Sequence, residues 1–197
     1  MNRILTLISA AIGIFLCVGC NNEPSGVYAM SHERAAAERS DFTGMPAPDF
    51  TVPNSQGEPV SLDDLEGQWV VLYFYPKDDT PGCTCQATEF TELLFRFETM
   101  NAEIYGVSED SPASHRRFIR KHNLRVPLLS DPDHSTMRRY GAWVDTPTGG
   151  RVIRSTFIVG PEGTIRYHFP EVIPEGHARR VRQILYELQQ EHETPRS

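Results

Sequence analysis

Hydrophobic residues follow two different spacings along the chain from residue 42 onward. Segments in which apolar residues are contiguous or alternate predict β-strands at 50–52, 60–62, 69–75, 104–107, 128–129, 155–159 and 165–169. Segments with apolar residues three or four positions apart predict helices from 81 to about 100, at 111–122, at 133–140, and from 177 to about 190. The strand at 69–75, WVVLYFY, is apolar throughout, which is typical of a strand buried on both faces. The pattern therefore predicts an α/β fold with a central mixed sheet covered by helices.

The N-terminus has the pattern of an export signal. Arg3 precedes an uncharged, mostly apolar run of 15 residues at 4–18. This length fits the ~7–15 residues of a signal core and is short of the ~20 that span a bilayer. The run ends in CVGC at 17–20, which resembles the bacterial lipobox, in which the last Cys is acylated and becomes the mature N-terminus. Cys17 stands where that motif usually has Leu, and an ordinary signal peptide or an uncleaved anchor is the alternative.

These features divide the chain into three parts. Residues 1–19 are predicted to be a lipoprotein-type signal peptide, and residues 20–41 a polar tether with alternating charges. Residues 42–197 are predicted to form one folded domain, which is long enough to bury a substantial core. We expect an exported protein of the cell envelope that is anchored to a membrane through acylated Cys20.

Composition and charge narrow the class of protein further. Hydrophobic residues make up 39% of the chain and charged residues 23%, which argues against a disordered chain. The formal net charge of -7 provides no broad positive field, which argues against a nucleic-acid partner. The domain contains two cysteines, Cys83 and Cys85, and a pair this close in sequence cannot tie distant parts of a fold together. Reactive thiols are therefore favoured over structural ones.

Cys83 lies at a predicted helix start, shortly after the central strand. Thr80 is a favourable N-cap residue and Pro81 a favourable N1 residue, which places Cys83 at N3. Unpaired backbone N–H groups and the positive end of the helix dipole stabilise a thiolate at this position. The alternative is a small structural thiol that fills space behind the strand. The combination of Thr and Pro at the cap favours an activated sulfur.

The stretch FYPKDDTPGCTCQATEF around this helix start resembles the active-site loop of the peroxiredoxins. Their motif Pro-x-x-x-Thr-x-x-Cys corresponds to Pro76, Thr80 and Cys83, and the YPK and TPGCT elements are similar to the bacterioferritin-comigratory, or Q-type, subfamily. Further similarity lies at GMPAPDF (44–50), GVS (106–108), LSDPD (129–133), YGAW (140–143) and RSTF (154–157). The resemblance implies a thioredoxin-like fold and thiol-dependent reduction of hydrogen peroxide or organic hydroperoxides, with no metal or organic cofactor. It also implies that Pro76 shields the loop from water.

The same resemblance implies a role for each polar residue of the site. Cys83 attacks the peroxide, the Thr80 hydroxyl holds the peroxide oxygens, and Arg154 stabilises the negative charge that develops on the leaving oxygen. The RSTF similarity selects Arg154 over Arg151, because spacing alone distinguishes none of the seventeen arginines. The alternative for Arg154 is a solvated residue at a strand end. Gln86 coincides with a polar position near the family's active site, and a helix-surface Gln explains it equally well.

The second thiol, Cys85, is relevant to how the oxidised enzyme is reduced back to its active form. Many peroxiredoxins of this type carry a resolving Cys five residues after the peroxidatic one, where this chain has Thr88. Cys85 is the other candidate, but side chains two positions apart on a helix diverge by ~200°, so a bond to Cys83 requires the first turn to unwind. Direct attack by an external thiol, a transient Cys83–Cys85 disulfide and a disulfide between subunits stay open. We expect a thioredoxin-like protein or a low-molecular-weight thiol as reductant, and a monomer or weak dimer.

Two other functions compete with this prediction. A thioredoxin-like disulfide oxidoreductase normally uses Cys-x-x-Cys, whereas the domain has Cys-x-Cys. A membrane-tethered copper-binding protein would require wider cysteine spacing and a committed His. The histidines show no ligand spacing around the two thiols, so we expect no metal site and solvated side chains at 32, 115, 122, 134, 168, 177 and 192.

Overall fold

The computed structural model describes residues 41–147 and 149–193. The predicted signal peptide, Cys20 and the tether up to residue 40 lie outside the described residues, as do Thr148 and residues 194–197. Within the described ranges, no helix combines the length and the apolar character that crossing a membrane requires.

Strands and helices alternate along most of the domain. Their order is β1 (Thr51–Pro53), β2 (Pro59–Ser61), β3 (Trp69–Phe74), α1 (Pro81–Glu98), β4 (Ala102–Ser108), α2 (Pro112–His122), β5 (Leu128–Ser130), α3 (Ser135–Arg139), β6 (Trp143–Thr146), β7 (Gly149–Val152), β8 (Ser155–Val159), β9 (Ile165–Phe169) and α4 (His177–Glu193). A short 3-10 turn at Asp63–Leu65 precedes β3. The predicted strands and helices are confirmed, with ends that move by a few residues.

A five-stranded mixed sheet in the order β5-β4-β3-β8-β9 forms the centre of the domain. β3 runs parallel to β4, and β4 runs parallel to β5. β8 runs antiparallel to both β3 and β9. The chain pairs β1 with β2 and β6 with β7 in two small antiparallel sheets. This is a thioredoxin-like α/β fold, as the resemblance implies.

The central strand β3 is buried on both faces, as its unbroken apolar sequence predicts. Side chains alternate across a strand, so Val71 and Tyr73 enter one hydrophobic cluster while Leu72 and Phe74 enter the other. The first cluster is completed by residues from three helices: Phe90, Phe97, Phe118, Val181 and Leu185. Burial of a large apolar side chain stabilises the fold by about 1.5–3 kcal/mol. The strand that leads to Cys83 is therefore anchored from both sides.

Two parts of the chain between β5 and β8 differ from the prediction. The helix predicted at 133–140 is observed as the shorter α3, which begins at Ser135. His134 has a left-handed backbone (φ 60°), which is incompatible with a right-handed helix. The hairpin of β6 and β7 was not predicted. Its side chains are exposed or half-buried, so it lacks the apolar alternation by which strands are recognised. This hairpin directly precedes Arg154 and thereby helps to place it.

Candidate active site

The candidate site begins where β3 ends and α1 begins. Thr80 has an extended backbone (φ -85°, ψ 151°), Pro81 is the first helical residue, and Cys83 occupies N3 as predicted. The Thr80 side chain does not cap the helix. Its hydroxyl instead donates to the carbonyl of Lys77 at 3.0 Å, while its own carbonyl accepts the N–H of Thr84 at 2.8 Å. Thr80 therefore defines the helix start through its backbone and fixes the loop through its hydroxyl.

The sulfur of Cys83 contacts the guanidinium group of Arg154. Arg154 Nη2 lies 3.1 Å from Cys83 Sγ and donates to it. Cys83 is 1% exposed and Arg154 is half-buried, so the sulfur side of the contact is shielded from water. A hydrogen bond from a positively charged donor stabilises a thiolate over a thiol, and the low local dielectric strengthens it. The structure thus brings together the helix start and the arginine that the sequence selected.

Gln86 orients the guanidinium group from the other side. Arg154 Nη1 donates to Gln86 Oε1 at 2.6 Å, so the two terminal nitrogens of one planar group hold Gln86 and Cys83 at the same time. Gln86 is buried, and the helix-surface interpretation is wrong. Its Nε2 atom is also buried and has no hydrogen-bond partner among the described residues.

The backbone around Arg154 explains why this arginine, and not Arg151, reaches the sulfur. Arg154 follows the β6–β7 hairpin, and its carbonyl accepts the N–H of Val172 at 2.9 Å. Arg151 lies within β7, paired with Val144, and is exposed. The segment after β9 also approaches α1, since a Cβ atom at Gly82 would lie 3.3 Å from the Cγ of Pro174. Arg154 is therefore fixed at both its backbone and its guanidinium end.

Two neighbouring side chains of the site remain uncharged. Burial, followed by the nearby Cys83, raises the pKa of Tyr73 far above its ordinary value, so its hydroxyl stays protonated. Burial lowers the pKa of His177 to about 3, with the charges of Arg180 and Arg154 as further causes. His177 is therefore neutral near pH 7, where its Nε2 lies 2.9 Å from the Thr156 hydroxyl. The positive charge held against the sulfur is that of Arg154.

The remaining predicted residues lie in the same loop and helix as this contact. Pro76 is half-buried between the end of β3 and the exposed Lys77. Cys85 is half-buried two positions after Cys83 on the intact helix, and no disulfide joins the two. Thr88, at the family's resolving position, is half-buried further along α1.

One polar cluster beside the site was missed by the sequence prediction. His115 of α2 is fully buried and its Nδ1 lies 3.0 Å from an oxygen of Asp78, in the active-site loop. The expectation of solvated histidines is therefore wrong for His115 and His177. The available signal was a loop aspartate four residues after a buried strand, but nothing in the sequence indicated its partner. In the described part of the chain, no group of three or more His, Cys, Asp or Glu side chains has the arrangement of a metal site.

Comparison with known proteins identifies the family. Residues 43–168 match the AhpC/TSA family. The chain is 42% identical over 142 residues to the putative peroxiredoxin bcp of Coxiella burnetii, an alignment that covers 70% of this chain and 94% of that relative. It is 37% identical over 149 residues to the peroxiredoxin Bcp of Bacillus subtilis, covering 74% and 95% of the two chains.

The three-dimensional comparison agrees with the sequence comparison. A structure of the Xanthomonas campestris bacterioferritin comigratory protein, determined to study its alkyl peroxide reduction activity, superimposes with a TM-score of 0.68 at 35% identity. The superposition covers 71% of this chain and 91% of the other. The chain belongs to the AhpC/TSA family and, within it, to the Bcp/PrxQ-type peroxiredoxins, which makes it a thiol-dependent peroxidase.

Proposed function

We propose that Cys83 is the peroxidatic cysteine of this enzyme. Its thiolate attacks one oxygen of a hydroperoxide, forming an S–O bond while the O–O bond breaks, and the leaving alkoxide or hydroxide takes up a proton. Cys83 becomes a sulfenic acid, and the peroxide is reduced to an alcohol or to water. The observation that carries this proposal is the 3.1 Å contact between Arg154 and the Cys83 sulfur at a helix start.

The other residues of the site are assigned by the charges that the reaction creates. Arg154 stabilises the thiolate before attack and the leaving oxygen after it, and Gln86 holds its guanidinium group in place. The Thr80 proton is directed at the Lys77 carbonyl, so the hydroxyl oxygen offers its lone pairs to the O–H of an incoming peroxide. Pro76 shields the loop from water. Hydrogen peroxide and organic hydroperoxides are the proposed substrates, and the activity named for the Xanthomonas campestris relative supports the second class.

One set of assays separates this function from the two alternatives. The purified protein is tested for consumption of peroxide with dithiothreitol, for reduction of insulin disulfides, and for copper retained after dialysis. A peroxidase consumes peroxide and fails the other two tests. Insulin reduction in the absence of peroxide consumption would favour a disulfide oxidoreductase, and retained copper would favour a metal-binding role.

We propose further that oxidised Cys83 is reset either by an external thiol or through Cys85. In the first route, two reductant thiols become a disulfide while the sulfenic acid returns to a thiol and releases water. In the second, the Cys85 thiol displaces water to form a Cys83–Cys85 disulfide, which a thioredoxin-like protein or a low-molecular-weight thiol then reduces. This ring requires the first turn of α1 to unwind, and it should be strained and easily reduced.

Replacing Cys85 by serine distinguishes these routes. The variant and the wild type are treated with one equivalent of peroxide and trapped with dimedone. If Cys85 resolves, the variant accumulates a dimedone adduct on Cys83, whereas the wild type loses about two mass units within residues 80–89 because two hydrogens are removed. Equal adduct yields and equal turnover in both proteins would remove Cys85 from the mechanism.

We propose that the enzyme is exported and held at a membrane by acylated Cys20, as the CVGC sequence suggests. Wild-type protein isolated from its own membranes should then partition into detergent. The Cys20→Ala variant should appear in the soluble exported fraction or fail to be processed, because its anchor cannot be attached. Mass spectrometry of the mature N-terminus provides the measurement. An unacylated wild-type protein whose N-terminus lies elsewhere would contradict the proposal.

A further inference from the structure

A buried polar cluster lies directly beneath the active-site loop. The Asp78 carboxylate accepts a hydrogen bond from the Tyr75 hydroxyl at 2.7 Å and lies 3.0 Å from Nδ1 of His115. Tyr75 and Asp78 flank Pro76 and Lys77 in the loop, whereas His115 belongs to α2. All three side chains of the cluster are buried, with His115 at 0% exposure. A buried carboxylate is costly unless donors surround it, so each donor to Asp78 favours this loop conformation.

A second carboxylate fixes the loop backbone at the same point. Asp110, which lies between β4 and α2, accepts the Asp78 N–H at 2.8 Å and pairs with Lys77 Nζ at 3.0 Å. Burial by itself would raise the pKa of Asp110, but the Asp78 amide and the Lys77 ammonium group lower it overall, so the group is ionised. The Ser108 hydroxyl donates to it at 3.1 Å. The loop is therefore tied to the segment around α2 through both its backbone and its side chains.

The position of the proton on His115 follows from its surroundings. Nδ1 faces the Asp78 carboxylate, while Nε2 is buried and has no hydrogen-bond partner among the described residues. A buried N–H without an acceptor costs more than a buried lone pair beside apolar groups, and a proton on Nδ1 is stabilised by the carboxylate. His115 thus acts as an Nδ1–H donor to Asp78.

The same helix makes a second, exposed contact with the loop. Asp79, whose backbone is left-handed (φ 61°), pairs with Lys121 at 2.5 Å and with His122 at 2.6 Å. Asp79 and Lys121 side chains are 43% and 62% exposed. Exposed ion pairs are screened by water and contribute little to stability. Of these two contacts, the buried one at Asp78 therefore contributes more to the loop conformation.

We propose that His115 is a positioning residue of the peroxidase: through Asp78 it holds the loop from Pro76 to Thr80, and thereby keeps Cys83 against Arg154. The inference rests on the peroxidase chemistry proposed above. Asp78 lies two residues before Thr80, which defines the start of α1, so a shift of the loop moves the turn that carries the sulfur. A protein reductant or a bulky reagent reaches a sulfur that is 1% exposed after this turn opens. His115 therefore favours the closed arrangement that reacts with peroxide over the open one.

The test compares variants of His115 that keep, move or remove the hydrogen-bond donor to Asp78. His115→Asn keeps an amide N–H at the position of Nδ1, His115→Gln moves it to the position of Nε2, and His115→Leu removes it. Lys121→Met removes the more exposed of the two partners of Asp79 on the same helix, keeps the His122 contact, and serves as the control. Two rate constants are measured well below the unfolding temperature: oxidation of Cys83 by peroxide in a single turnover, and modification of Cys83 by a bulky maleimide. The modified residue is located by mass spectrometry within residues 78–96.

We expect the Leu and Gln variants to lose roughly tenfold in the peroxide rate and to gain roughly tenfold in the maleimide rate, because Asp78 loses a donor. The Asn and Lys121→Met variants should stay within about threefold of the wild type in both rates. Equal behaviour of the Asn and Gln variants, or wild-type rates in the Leu variant, would overturn the inference. If the Leu and Gln variants fail to fold, Tyr75→Phe provides a second test, because it removes the other hydrogen-bond donor to Asp78. This variant must then lower the peroxide rate and raise the maleimide rate. A wild type that reacts with maleimide but not with peroxide would contradict the peroxidase chemistry instead.

Discussion

The Cys83→Ser variant is expected to lose peroxide turnover altogether. In the proposed reaction an S–O bond forms from an ionised sulfur, and a serine hydroxyl carries no comparable anionic fraction near neutral pH. The surrounding contacts cannot compensate, because a hydrogen bond from Arg154 and a position at a helix start do not make a serine hydroxyl ionise near neutral pH. The measurement is peroxide consumption with dithiothreitol as the reductant.

The fold of this variant must be shown to persist. Serine is smaller than cysteine, and the site is 1% exposed, so thermal unfolding and circular dichroism should accompany the assay. The Cys85→Ser variant is the matched control for single-turnover oxidation by peroxide, since it removes the other thiol of the same helix and keeps Cys83. A folded Cys83→Ser protein that retains more than about a tenth of the wild-type rate, equivalent to about 1.4 kcal/mol in activation free energy, would contradict the assignment.

The Arg154→Lys variant is expected to lose roughly 100-fold in the rate of Cys83 oxidation, the scale on which one donor to a developing anion acts. The guanidinium group donates from two nitrogens at once, at 3.1 Å to Cys83 and at 2.6 Å to Gln86. An ammonium group keeps the charge but cannot reproduce this planar fork. The loss should therefore appear although the net charge is unchanged. Stopped-flow measurement of a single turnover gives the rate directly.

Arg151→Lys provides the matched control for this prediction. Arg151 lies three residues earlier in β7 and is exposed, so its replacement should leave the oxidation rate within about twofold, as for ordinary surface positions. A larger loss in Arg151→Lys than in Arg154→Lys would show that the wrong arginine was assigned.

The sequence was most informative where one kind of local interaction dominates. The unbroken apolar run of β3 predicted a strand buried on both faces, and its side chains do divide between two hydrophobic clusters. The helix predicted at 111–122 is α2, and its start is capped locally because the Ser111 hydroxyl accepts the N–H of Ser114. The β6–β7 hairpin was missed because its exposed strands carry no comparable apolar pattern. A sequence predicts a strand through the spacing of its buried apolar residues. A surface strand that is held by backbone hydrogen bonds lacks that spacing and is therefore missed.

Some features of the candidate site were predicted from the sequence, and others became visible only in the structure. The sequence by itself predicted that Cys83 lies at N3 of a helix from Thr80 and Pro81, and the structure has this helix start with Pro81 at N1, although the Thr80 hydroxyl makes no cap bond. It also selected Arg154, but through the resemblance of RSTF to a known family rather than through any physical signal. The buried position of Gln86 and its bond to Arg154 depend on how α1 packs against the start of β8.

Only the tertiary structure decided which partners surround the loop. Asp78 and His115 are separated by 37 residues, and they meet because the loop after β3 and the helix after β4 lie at the same end of two parallel strands. A single sequence contains the residue types of such a contact, but not the distance between them. Contacts along one helix or strand follow from the regular geometry of the backbone, whereas contacts between elements follow from the packing of the whole sheet, and the buried support of the active-site loop is of the second kind.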